Sequence, residues 1–147
     1  MSSKALYFLS LLSLLVWSCA EPSKKSEPTS QDPYSMESVM AVHDEVMPKM
    51  SEIARLIDEL KPLSEKNPDS PYTNAIAALQ NSHKAMMDWM GDIGEAFTPD
   101  EILKGAELSE EKKARLKLEA ERINEVKTLM LNSIQEGKRL IEAVNAE

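Results

Sequence analysis

The sequence predicts an all-α protein, an elongated antiparallel three-helix bundle preceded by a signal peptide and a disordered tether. Three observations carry this. From Met36 onward the apolar residues recur at steps of three and four, and nowhere do they alternate as a half-buried strand requires. Proline-bearing breaks interrupt that pattern at two places, NPDSP at 67–71 and TPDE at 98–101. The first 35 residues belong to a different kind of chain, with a continuous apolar run at 5–17 and a proline- and serine-rich stretch after it.

The first helix is expected over about 36–66. Met36, Val39, Met40, His43, Val46, Met47, Met50, Ile53, Ile57, Leu60 and Leu63 draw one apolar stripe, with Glu37, Asp44, Glu45, Glu52, Arg55 and Glu59 on the other side. Pro48 lies inside it. Its missing N–H frees the carbonyl of Asp44 and would cost ~3 kcal/mol in a straight helix, so a bend is expected there. The second helix, about 72–97, is marked by Ile76, Leu79, His83, Met86, Met87, Met90, Ile93 and Phe97. A short helix at about 99–104 follows from Thr98 as cap, Pro99 in the first helical position and Glu101 three residues after the cap, with Gly105 as its stop. The last helix, about 109–145, starts at Ser109 with Glu110 and Glu111 against the positive end of the dipole. Its stripe is Leu116, Ala120, Ile123, Val126, Met130, Ile134, Ile141 and Val144. At 1.5 Å per residue it would span ~54 Å, which makes the 36–147 unit a rod. A helical hairpin that completes its core by dimerising is the alternative architecture.

Ahead of this unit, Lys4 and the run ALYFLSLLSLLVW at 5–17 read as a secretory signal, too short for a membrane span of ~20 residues. The run ends in VWSC, and Cys19 is the single cysteine. An aliphatic residue, a small residue and then a lone cysteine behind an apolar run resembles a bacterial lipobox, which implies cleavage after residue 18 and acylation of Cys19. Residues 19–35 then form the lipidated N-terminus and a flexible linker. Ala20 in place of Asp, by resemblance to the sorting of gram-negative lipoproteins, favours the outer membrane.

Cysteine usage removes whole classes of chemistry. With Cys19 acylated, no thiol remains for a disulfide, a zinc knuckle or a cysteine nucleophile. The chain carries a formal charge of −8, and loss of Lys4 with the signal makes it one unit more negative. That balance argues against nucleic acid as a partner and against an electrostatic grip on anionic lipid, leaving membrane attachment to the acyl chains. No glycine-rich phosphate loop, H-E-x-x-H motif or serine with an accompanying histidine and acid occurs, so the pattern points away from an enzyme. An envelope protein partner, or self-association, is the expected use of such a module.

One repeated pattern invites a chemical reading. HDEVMPKM at 43–50 and HKAMMDWM at 83–90 both read H-x-x-x-M-x-x-M, in a chain with two histidines and nine methionines. Offsets of four and seven place the three side chains on one helix face, and thioether with imidazole suits Cu(I). If the NPDSP turn pairs positions whose numbers sum to about 138, Met47, Met50, Met87 and Met90 converge. His43 then falls opposite residue 95 and His83 opposite residue 55, ~18 Å apart. The candidate soft-metal set is therefore a methionine seam of Met47, Met50, Met87 and Met90, with His43 or His83 as a further donor. The plainer reading is that methionine fills an irregular helical core. Trp89 falls off the centre of its stripe, so it either meets the last helix or joins Phe97 in an exposed partner surface.

The lipobox, the tether, the block VMAVHDEVMPKM and the later MMDWM together resemble small lipoproteins of Bacteroidetes-type bacteria that are often labelled "viral A-type inclusion protein". The resemblance covers most of the mature chain. It implies an envelope location and a helical fold, and it brings no activity with it.

Overall fold

Serine and threonine caps set most of the helix starts in the computed structural model, which describes residues 32–68 and 70–146. Helix α1 is Met36–Val46, α2 Met50–Lys66, α3 Pro71–Ala96, α4 Pro99–Lys104 and α5 Glu110–Asn145, with a 3₁₀ turn at Met47–Lys49 between the first two. Among the described residues all regular structure is helical, as the periodicity requires. The expected signal peptide, Cys19 and most of the linker lie outside the described residues.

Ser35 Oγ accepts from the Ser38 N–H and opens α1, and Ser109 Oγ accepts from the Lys112 N–H and opens α5. The short α4 carries the full reciprocal cap. Thr98 N–H donates to Glu101 Oε2 at 2.7 Å while the Glu101 N–H donates to Thr98 Oγ1 at 3.3 Å. Gly105 ends it at φ 65°, in the left-handed region where a side chain would be strained.

Pro48 produces the expected break in the form of the 3₁₀ turn. The Met47 N–H still reaches the His43 carbonyl, the Met50 N–H closes on the Met47 carbonyl, and Ser51 Oγ donates to the Pro48 carbonyl at 3.0 Å. A second proline, Pro62, rides inside α2 on its exposed side. It lies in the last turns, where few further ladder bonds remain to be lost.

Packing pairs fix the chain directions. Tyr34 lies under Lys117, Glu45 pairs with Lys127 and Glu52 with Lys138, so residue numbers rise together along α1–α2 and α5. Asp92 pairs with Arg122 and Ser82 meets Ser133, so α3 runs against α5. The core between them is Ile53, Leu56 and Leu60 of α2, Leu79, Met86, Trp89 and Ile93 of α3, and Leu116, Ile123, Val126 and Met130 of α5. Gly137 brings three helices together: a Cβ placed there would meet Leu56 Cδ1 and Leu79 Cδ1 at 3.4 Å each. On the other side of the 3₁₀ turn from α2, α1 leans chiefly on α5 and also touches α4.

Candidate functional site

The buried positions of α3 are Ala75, Leu79, Ser82, Met86, Trp89 and Ile93, a strict alternation of four- and three-residue steps. Those of α5 include Leu116, Glu119, Ile123, Val126, Met130, Ser133, Gly137 and Leu140, stepping the same way. Trp89 therefore sits on the core line. It is 1% exposed and its Nε1–H donates to the Glu119 carbonyl at 3.2 Å. Phe97, at the end of α3, is 3% exposed, with Lys112 Nζ 5.8 Å from its ring centre. Of the two placements expected for Trp89, contact with the last helix is the one found, and the exposed partner surface with Phe97 is corrected. Both rings are core, because the true apolar line runs through Met86 and Trp89 rather than through Met87 and Met90.

His43 is also placed differently from expectation. Its ring stacks on Trp89, with centroids 5.6 Å apart and planes inclined by 26°, and its Nδ1 lies 2.9 Å from Asp44 Oδ1. It does not pair with residue 95. The 3₁₀ turn breaks the straight path of the first helix and redirects α1, so a register counted from the NPDSP turn fails past residue 47. Nearer the turn that register holds. His83 lines a groove of about 390 Å³ with Ala54, Ile57, Asp58 and Gln80, close to the predicted partner at residue 55.

The methionine seam is divided. Met47, Met50 and Met90 are half-buried and pack against the core, whereas Met87 is 49% exposed. The reason is angular: Met87 follows the fully buried Met86 by one residue, a turn of about 100° that carries it to the outer surface. Among the described residues no three histidine, cysteine, aspartate or glutamate side chains gather in a metal cage.

What sequence reading missed is a charged residue at the centre. Glu119 is wholly buried, and its Oε1 takes Arg115 Nε at 2.8 Å and Arg122 Nη1 at 3.2 Å. Arg122 reaches across to Asp92 Oδ2 at 2.6 Å, tying α5 to α3. The Asp92 hydrogen bond, and after it the field of Glu119, hold the Arg122 guanidinium above its usual range against the opposing effect of burial. Arginines at i−4 and i+3 around a glutamate on the core line were the visible signal. A buried carboxylate bracketed by two guanidiniums has its charge compensated, so the cluster works as a polar clamp. Fourteen residues further along, Ser133 Oγ lies 2.9 Å from Ser82 Oγ, and each hydroxyl also lies within reach of its own i−3 carbonyl. Three contacts share two protons, so these serines satisfy one another locally and present nothing to a substrate.

No family model, curated protein or solved structure matches the chain.

Proposed function

We propose that this chain is a cell-envelope lipoprotein, held to the outer membrane by acyl chains on Cys19. In this reading residues 36–147 form an elongated antiparallel three-helix bundle that serves as an interaction or structural module. The observation that carries it is the run Ala5–Trp17 ending in VWSC, with a proline- and serine-rich linker before a helical unit that closes its own core. No helix among the described residues is long and apolar enough to cross a membrane, and in this reading the acyl chains provide the attachment. Metabolic labelling with a palmitate analogue tests the anchor: the full-length chain takes up label and the Cys19→Ala variant takes up none. An unlabelled wild-type chain contradicts it. Cross-linking in intact cells tests the module, with a discrete larger species expected. A chain that stays monomeric in cells and in solution contradicts that part.

Soft-metal binding is the second reading. It is favoured by Met47, Met50 and Met90, which remain half-buried and so reachable as thioethers. Competitive titration with Cu(I) decides it, since affinity unchanged by Met50→Leu together with Met90→Leu removes the reading.

A further inference from the structure

Eight methionines fall among the described residues, and they differ in access. Met86 and Met130 are wholly buried and Met36 is 9% exposed, while Met40, Met47, Met50 and Met90 are half-buried against the core. Met87 alone of the eight is open to solvent, at 49%. It is also the one large apolar side chain that α3 exposes among the described residues.

We propose that Met87 is an oxidative modification site, a thioether that takes one oxygen atom from a two-electron oxidant such as hydrogen peroxide. A sulfur lone pair attacks a peroxide oxygen and the O–O bond breaks. The sulfur–oxygen bond of the sulfoxide forms, and the second oxygen leaves with both hydrogens as water. Sulfur is oxidised by two electrons and the peroxide is reduced by two.

Position decides what this does to the fold. A sulfoxide on Met86 or Met130 would drive a strongly polar group into the core. On Met87 the new oxygen stays in water, on the face that bears His83 at i−4 and Lys84 at i−3, the latter already paired with Asp88. Oxidation there turns the apolar spot on the outside of α3 into a polar one and leaves the packing intact. The change is reversible in kind, since sulfoxide reductases return the thioether. The chain can therefore absorb one oxidising equivalent and alter its α3 surface without unfolding.

The test is a time course of the purified full-length chain in dilute hydrogen peroxide, with each methionine followed by peptide mass spectrometry and helicity by circular dichroism. Sulfoxide is expected at Met87 at least ~10-fold faster than at Met86 or Met130, with helicity unchanged after the first oxygen. In Met87→Leu the fast phase disappears and the slow ones remain. The proposal is overturned if any other methionine among the eight is oxidised as fast as Met87, if the fast phase survives in Met87→Leu, or if the first oxygen at Met87 melts the helices.

Discussion

HDEVMPKM and HKAMMDWM carry the same spacing of histidine and methionines, yet the fold uses them in opposite ways. In the first copy His43 faces inward and stacks on Trp89, on the same line as Met36, Val39 and Val46. In the second, His83 follows the buried Ser82 by one residue and borders an open groove, and Met87 points to solvent. One residue of phase is about 100° of rotation, enough to exchange a core position for a surface one. Spacing within a helix states which side chains share a face. It does not state which face the rest of the molecule covers.

The largest effect expected from this contrast is at Trp89, where the second copy supports the first. Trp89→Ala removes a fully buried ring, its bond to the Glu119 carbonyl and the surface on which His43 rests. A loss of about 4 kcal/mol is expected by chemical denaturation. A loss under about 1 kcal/mol would mean that the ring is not packed as described. Adjacent methionines should differ nearly as much, with Met86→Ala costing about 3 kcal/mol and Met87→Ala within about 0.5. Equal costs would place the α3 core line wrongly.

The two histidines give a smaller difference. His43→Ala is expected to cost about 1–2 kcal/mol through lost stacking and packing, and His83→Ala no more than about 0.5. Reversal of that order would show that α1 does not lie on Trp89. The smallest effect is in acid. Lys138 holds the Glu52 carboxyl below its ordinary value, Lys112 and then the Thr98 N–H do so for Glu101, and Arg139 for Glu136. Such groups add stability that is fully present above the unfolded carboxylate pKa of about 4.5 and is lost as pH falls through the lower folded values. The melting temperature should be flat from about pH 7 to 5.5 and fall below about pH 4.5, and a rise there would contradict these pairings. The fall should be modest, because Glu52, Glu101 and Glu136 are all only half-buried.

Much of this fold was legible. The caps at Thr98 and Ser109, the stop at Gly105 and the break at Pro48 are local chemistry, and each appears where the residues demand it. The inward face was harder to read where apolar residues stand side by side. Met86–Met87 and Trp89–Met90 each offer two candidates one residue apart, and the choice depends on where α5 lies. Glu119, Ser82 and Ser133 went unseen as core positions because their residue types suggest surface, although their steps fit the core line. The stack of His43 on Trp89 depends on how far a 3₁₀ turn redirects α1, which no periodicity encodes.

The central functional claim rests on Cys19, and the mass of the mature N-terminal peptide tests it most directly. Purified from the membranes of a host that processes lipoproteins, the chain should begin at Cys19 and carry a thioether-linked diacylglyceryl group. A mature chain that begins elsewhere, or a Cys19 that remains a free thiol, would contradict the account.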